Sequence, residues 1–188
     1  MLEQERKRAT RLPVTVREAG VDGWSEVRNL HATSLRAVSG SVLDGDQLVA
    51  YLNRVYAPDY TSALQAQSLL TVWYEDRLVA TAGWLPADDA GLSARITSVF
   101  VSPLYWRMGL GRQIVGAIEE RAKAAGFYAF SARVLPSALS FFEAIGYQRS
   151  SLGVVSLGTL NGVPVVFIRK GQAIVPESRI SKSAAGAG

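Results

Sequence analysis

The stretch that decides the fold is residues 94–126, which read ARITSVFVSPLYWRMGLGRQIVGAIEERAKAAG. Its first part, Ala94–Val101, is almost continuous in apolar and small residues, which is typical of a central strand covered on both faces. Beyond a short turn, apolar residues recur at helical spacing from Gly109 onwards, and Gly126 is placed to end the helix. The stretch therefore predicts a strand, a tight turn and an amphipathic helix.

The predicted start of this helix offers backbone groups that can bind an anion. The first N–H groups of a helix have no intrahelical partner and lie at the positive end of the helix dipole. Here they belong to residues 107–112, where Gly109 and Gly111 remove side chains that would keep a phosphate from the backbone. Arg107 and Arg112 add positive charge. A bare G-x-G also fits an ordinary tight turn, so the motif alone leaves both interpretations open.

Three common motifs are excluded by the spacing around these glycines. A dinucleotide-binding G-x-G-x-x-G would need a glycine where Ile114 stands, and the G-K-[ST] ending of a phosphate-binding loop is absent. The G-x-S-x-G elbow of serine hydrolases fails because Arg95 stands at its last position.

Outside this stretch, the pattern predicts one mixed α/β domain in the order β, helices, β-β-β, α, β, α, β-β. We expect a charged flexible tail at 1–12, a single domain at 13–174 and a disordered tail at 175–188. Helices are predicted at 22–38, from Asp46 to Pro58, from Gly109 and at 137–145, with 58–67 either helical or irregular. Strands are predicted at 14–17, 69–75, 78–85, 94–101, 127–134, 147–157 and 163–170.

Composition and charge exclude several classes of function. The chain has no cysteine and one histidine among 188 residues, so we expect no disulfide and no metal site. Of the net charge of +4, the first twelve residues carry +2 and the last twelve +1, which leaves +1 for residues 13–176. We therefore expect no nucleic-acid partner. With no signal peptide and no long apolar run, we also expect no membrane partner and a cytoplasmic location.

Three segments together resemble the GNAT superfamily of N-acetyltransferases. VFVSPLYWRMGLGRQIVGAIEERAKAAGF, from Val99, is similar to the family's V-x-V-x-P strand end, its Q/R-x-x-G-x-G/A turn and the helix that follows. ARVLPSALSFFEAIGY, from Ala132, resembles the second signature, N-x-x-A-x-x-F-Y-E-x-x-G-F. WYEDRLVATAGW, from Trp73, resembles the usual pair of strands. The resemblance spans about residues 13–170 and implies a mostly antiparallel sheet of six to seven strands, a central β-α-β unit and flanking helices.

The resemblance implies acetyl-CoA, or another acyl-CoA, as the donor substrate. The backbone of Val99 and Val101 would bind the pantetheine arm as an added strand. The pyrophosphate would lie on the amides of Arg107, Met108, Gly109, Leu110, Gly111 and Arg112. The acceptor would be a small-molecule amine or a protein amino group that attacks the thioester directly. A second copy of the chain is kept as a candidate partner.

The chain departs from the family pattern where catalysis is concerned. Trp106 replaces the Q/R of the first signature, and Leu135 replaces the asparagine of the second. Phe142 stands where the family often has the tyrosine that protonates the departing thiolate, so no catalytic residue is assigned. Tyr147, Ser137 and Ser140 lie nearby in sequence but have plainer structural roles. A non-catalytic acyl-CoA-binding or sensor module with the same fold therefore stays as the alternative.

The acceptor side has no recognisable pattern. His31 could bind substrate or act as a base, and a structural role is the plainer interpretation. Asp88 and Asp89 could attract an amine at a pocket rim. Aromatic residues with a place in either the pocket or the core are Trp24, Trp73, Trp84, Tyr51, Tyr56 and Tyr60.

Overall fold

The computed structural model of the protein describes residues 12–20, 23–38, 40–87, 93–157 and 162–171. These residues contain seven strands and five helices. In chain order they are β1 (Val14–Glu18), α1 (Trp24–Val38), α2 (Gly45–Tyr56), α3 (Tyr60–Gln65), β2 (Ser68–Tyr74), β3 (Arg77–Pro86), β4 (Ser93–Val101), α4 (Leu110–Ala124), β5 (Ala129–Val134), α5 (Leu139–Glu143), β6 (Gln148–Val155) and β7 (Val163–Lys170). Single turns of 3-10 helix at Pro103–Tyr105 and Pro136–Ala138 precede α4 and α5.

The described strands form one sheet in the order β1-β2-β3-β4-β5-β7-β6. Neighbouring strands are antiparallel except β4 and β5, which are parallel because α4 crosses between them. The predicted mixed, mostly antiparallel sheet with a central β-α-β unit is confirmed. β4 lies in the middle of the sheet, as its apolar sequence predicted.

Helices cover both faces of the sheet. Ala80 and Ala82 of β3 join the main apolar cluster together with Ile114 and Ile118 of α4. Thr81 lies between those two alanines and contacts His31 of α1. Because successive strand residues point to opposite faces, α4 and α1 pack on opposite faces of the sheet. None of the helices in the described part of the chain is both long enough and apolar enough to cross a membrane.

Two local details differ from the sequence-based prediction. The N-cap of α2 is Asp44 rather than Asp46, because Gln47 stands three residues after it and completes a capping box. The Asp44 carboxylate accepts from the backbone N–H of Gln47 at 2.8 Å, and the Gln47 side chain accepts from the Asp44 N–H at 3.1 Å. The β2–β3 turn lies at residues 75–76, since β3 already begins at Arg77, and Glu75 takes the positive φ of 52° that glycine usually supplies.

Several predictions fall on residues outside the described ranges. They concern the tail at 175–188, the tail at 1–12 apart from Leu12, the Asp22 cap, and Asp88 and Asp89. The domain bounds of 13–174 stay a prediction.

Candidate active site

The site begins where β4 and β5 separate. The two strands pair only from Ser93–Ala129 to Arg95–Ser131, although β4 continues to Val101. On its other side β4 stays paired with β3, but the register shifts between Thr81 and Gly83. Ser98 lies at this shift with a φ of 52°, so the shift is a β-bulge with a non-glycine residue in the left-handed region. A bulge bends the strand that carries it. Beyond Arg95 and Ser131 the facing edges of β4 and β5 are unpaired, and this gap is the cleft referred to below.

Val101 directs its backbone polar groups towards this cleft. Val101 pairs with Ala80 of β3. The hydrogen bond next to this pair joins the residue that follows Val101 to the residue that precedes Ala80: the N–H of Ser102 donates to the carbonyl of Val79 at 2.8 Å. In an antiparallel ladder, a pair flanked in this way points its own N–H and C=O groups away from the partner strand. Val99 lies two residues earlier on the same strand. A ligand between β4 and β5 would therefore meet backbone groups of β4 that do not pair with β3.

The carbonyl of Val101 is already occupied, which the sequence did not indicate. It accepts from the indole Nε1 of Trp106 at 2.8 Å and from the hydroxyl of Ser34 at 3.1 Å. A carbonyl oxygen has two lone pairs, so both are used. Val101 can offer a ligand its N–H but not its C=O.

The turn from β4 to α4 presents unpaired amides. Arg107 and Gly109 both have positive φ, of 66° and 82°, and Gly109 is the N-cap of α4. The first helical bond runs from Gln113 N–H to the Gly109 carbonyl at 3.1 Å. Within the described residues, no backbone carbonyl accepts from the N–H groups of residues 107–112. Such a run of free N–H groups at a helix start favours an anion.

The two glycines of the motif have different roles. A β-carbon at Gly109 would have nothing within 4 Å, so the space above this residue is open, and its φ of +82° favours glycine. A β-carbon at Gly111 would lie 3.1 Å from the ring of Phe141. Glycine at position 111 therefore eases the close approach of α4 and α5, whereas Gly109 leaves room for a ligand. Gly116, which lies inside α4, also faces open space.

The cations of the turn are available at the surface. Arg107 and Arg112 are both exposed, and Arg112 donates to the carbonyl of Ala144 at 3.1 Å, which anchors its side chain beside the end of α5. No group of three or more histidine, cysteine, aspartate or glutamate residues that could hold a metal ion occurs among the described residues.

Comparison with known families identifies the family to which this protein belongs. A sequence model of the Acetyltransferase (GNAT) family matches residues 24–147, well over half of the chain and including the whole cleft strand, turn and helix. The chain belongs to the GNAT family. Its resemblance to that family, predicted from the signature segments, is thereby confirmed.

Individual relatives are more distant. Uncharacterized protein YyaT from Bacillus subtilis (strain 168) is 29% identical over 106 residues, which cover 56% of this chain and 66% of that protein, just under two thirds of its length. A GCN5-related N-acetyltransferase from Rhodopseudomonas palustris has a similar structure, with a TM-score of 0.75, 18% identity, and coverage of 84% of this chain and 94% of that one. The PaiA N-acetyltransferase from Thermoplasma acidophilum, solved in complex with coenzyme A, gives a TM-score of 0.67 at 10% identity and covers 84% and 98% of the two chains.

Phe142, at the usual tyrosine position of the GNAT signature, is a core residue in this chain. It is 3% exposed and packs edge-on against the rings of Phe141 and Tyr147, at centroid distances of 5.0 and 5.2 Å. Leu135, at the usual asparagine position, packs against the apolar cluster that also includes Phe100. Neither residue presents a polar group to the cleft.

Tyr147 does not replace the missing tyrosine. Its hydroxyl donates to the buried carboxylate of Glu119 at 2.9 Å, and Lys170 donates to the same carboxylate at 2.7 and 3.0 Å. Burial and the Glu119 charge raise the pKa of Tyr147 well above its usual range. This hydroxyl is therefore committed to an ion-pair cluster between α4 and β7.

His31 is a structural residue rather than an exposed base. It is fully buried, its Nδ1 lies 2.8 Å from the Tyr60 hydroxyl, and its Nε2 lies 2.9 Å from the Thr81 hydroxyl. Its ring also stacks on Phe100 of β4 at a centroid distance of 4.0 Å. Burial lowers the pKa of His31 from 6.5 to about 3 and raises that of Tyr60 to about 12. The imidazole is neutral at physiological pH.

The remaining aromatic residues divide between core and surface. Trp24 and Trp84 are packed in apolar clusters, Trp73 donates its indole N–H to Thr71 at 3.0 Å, and Tyr56 is exposed. Tyr51 and Tyr60 pack against the same apolar cluster as Phe100 of β4. Trp84 lies opposite Ile96 of β4 in the β3–β4 ladder.

Proposed function

We propose that this GNAT family member is an acetyl-CoA-dependent N-acetyltransferase. The observation that carries the proposal is the run of unpaired N–H groups at residues 107–112, which opens onto the free space above Gly109. A pyrophosphate needs several donors at one point and no side chain in the way, and this turn supplies both. The groups that we assign to the pyrophosphate are the amides of Arg107, Met108, Gly109, Leu110, Gly111 and Arg112.

The pantetheine arm is assigned to the cleft edge of β4. Val99 would offer both backbone groups and Val101 its N–H alone, because Trp106 and Ser34 occupy the Val101 carbonyl. Amides of the arm that add to a strand edge are held by main-chain hydrogen bonds. The acyl end would then lie between β4 and β5, where the strands separate.

The chemistry that we propose is direct transfer. The acceptor enters as a neutral amine, and its nitrogen forms a bond to the acetyl carbonyl carbon as the C–S bond breaks. The sulfur leaves as the CoA thiolate and takes up a proton, while the new amide nitrogen loses one. Because Phe142 and Tyr147 are both buried in other contacts, we assign neither proton to a described side chain. A general acid typically contributes about 10²–10⁴-fold, so transfer without one is slower rather than excluded.

A non-catalytic acyl-CoA sensor is the second candidate, favoured by the same buried Phe142 and committed Tyr147. A screen for CoA release separates the two functions, with polyamines, amino acids, aminoglycosides and peptides as acceptors. If the protein is an acetyltransferase, one of these amines gives release of CoA from acetyl-CoA well above background hydrolysis. Binding of acetyl-CoA without release for any amine would favour the sensor. The acceptor class, a second copy as partner, the absence of nucleic-acid and membrane partners and the cytoplasmic location stay predictions.

A further inference from the structure

A series of hydrogen bonds runs from α3 to the bulge in β4 through the buried side chains of His31 and Thr81. Tyr60 contacts His31 Nδ1 at 2.8 Å, and His31 Nε2 contacts the Thr81 hydroxyl at 2.9 Å. The Thr81 hydroxyl donates to the carbonyl of Ser98 at 2.8 Å. It therefore accepts from His31, which assigns the proton of the neutral imidazole to Nε2 and makes Nδ1 the acceptor of the Tyr60 O–H. Each of these three groups therefore donates to the next one in the direction of the bulge.

This series of hydrogen bonds ends at Ser98, the residue of the bulge that shapes the cleft. Ser98 has the left-handed φ of 52°, a conformation that a non-glycine residue keeps only where its surroundings hold it. The Ser98 and Thr97 hydroxyls both contact the side-chain oxygen of Gln67, while Thr81 holds the Ser98 carbonyl on the β3 side of β4. The side chains and the carbonyl of the bulge are thus held separately, by Gln67 and by Thr81.

We propose that Thr81, oriented by His31, is a positioning residue for acyl-CoA binding. The Thr81 hydroxyl keeps the bulge in place, and the bulge sets which backbone groups β4 presents to the cleft at Val99 and Val101. A bulge contains one extra residue, so its loss would shift the following part of β4 by one position and turn its groups to the other side. The inference rests on the proposed function, because the cleft is assigned to acyl-CoA.

Three variants of the full chain test this role, with CoA itself as the probe in calorimetric titrations. Thr81→Val keeps the shape and removes the hydroxyl, and we expect about tenfold weaker CoA binding, because the Ser98 carbonyl and His31 Nε2 lose their partner. Thr81→Ser keeps the hydroxyl and is expected to bind within about twofold of the wild type. Thr71→Val is the matched control. Thr71 lies directly opposite Thr81 on β2, is also buried, and donates to the Arg17 carbonyl, away from the bulge.

The control distinguishes positioning from a general loss of stability. We expect Thr71→Val to lower the melting temperature as Thr81→Val does and to leave CoA affinity within about twofold of the wild type. Should Thr81→Val not fold, His31→Leu takes its place, since it puts a side chain that cannot donate where His31 orients the Thr81 hydroxyl. Two results would overturn this inference and leave the proposed function standing. In the first, the variant binds CoA as tightly as the wild type; in the second, that variant and Thr71→Val lose CoA affinity equally. Failure of the wild type to bind CoA overturns the proposed function and this inference together.

Discussion

Acidification is predicted to destabilise the protein through His31. This histidine is fully buried, and burial lowers its pKa from 6.5 to about 3. The unfolded chain takes up a proton at this residue as the pH falls below 6.5, while the folded protein does not do so until about pH 3. The free energy of unfolding therefore decreases with falling pH across this window, and the full contribution is present only above 6.5.

The magnitude follows from the two pKa values. Each pH unit over which only the unfolded state binds the proton costs about 1.4 kcal/mol. At pH 5, about 1.5 units below the unfolded pKa, the loss attributable to His31 is about 2 kcal/mol, and at pH 4 it is about 3.4 kcal/mol. These values are a large fraction of the 5–15 kcal/mol that is typical of a folded domain.

Urea denaturation of the wild type and His31→Gln at pH 7.5 and pH 5 measures this contribution. Glutamine does not titrate, and its side-chain amide can still donate to Thr81. Aspartate and glutamate residues titrate alike in both proteins, so the comparison isolates His31. We expect the wild type to lose about 2 kcal/mol more than the variant between the two pH values. An equal loss in both proteins would show that the folded-state pKa of His31 is not lowered, and the buried, neutral assignment would be wrong.

Two further predictions concern buried side chains. Glu119→Ala removes the only carboxylate that the described residues provide to Lys170, and we expect it to destabilise the fold by about 3 kcal/mol without changing CoA affinity. Glu120→Ala is the control: it removes an exposed ion pair with Lys123, and we expect it to cost less than about 1 kcal/mol. Similar unfolding free energies for the two variants would contradict this. Phe142→Tyr restores the usual family residue but places a hydroxyl in a site that is 3% exposed, so we expect a loss of about 1–3 kcal/mol and no increase in kcat. A faster, equally stable variant would refute that placement.

Sequence reasoning predicted the fold well because the deciding signals are local. The apolar run of β4, the helical spacing of α4 and the glycine that follows it lie within 33 consecutive residues, and each follows from periodicity or capping. The α2 cap was misplaced by two residues because both Asp44 and Asp46 are good capping residues. Only Asp44 has a glutamine three positions later that completes the box.

The details of the site could not be predicted because they depend on contacts between distant elements. The bulge at Ser98 has no glycine to mark it, and the groups that hold it, Thr81 and Gln67, come from other parts of the chain. Gly111 was assigned to the phosphate loop for its lack of a side chain. Its contact with Phe141 of α5 gives that lack a packing reason as well.

The sequence also did not indicate that the carbonyl of Val101 is occupied by two hydrogen bonds. They come from Trp106, the residue that departs from the family pattern, and from Ser34 on α1. The departure at Trp106 therefore has a structural role in the cleft, although the sequence presented it only as a mismatch.

The most direct test of the account is CoA affinity at the start of α4. Gly109→Asp places a negative charge in the open space above the unpaired amides, and aspartate tolerates the left-handed φ better than most residues. Gly126→Asp is the matched control, because Gly126 lies at the other end of the same helix with a φ of +93° and equally open space. Gly109→Asn separates the effect of charge from that of size.

We predict that the wild type and Gly126→Asp bind CoA alike in calorimetric titrations. Gly109→Asp is predicted to bind at least about tenfold more weakly, since like charges a few ångströms apart at a protein surface cost more than 1 kcal/mol. Gly109→Asn is expected to lie between them. If Gly109→Asp binds CoA as tightly as the wild type, or if the wild type does not bind CoA, then the amides of residues 107–112 do not hold the pyrophosphate and the central claim is wrong.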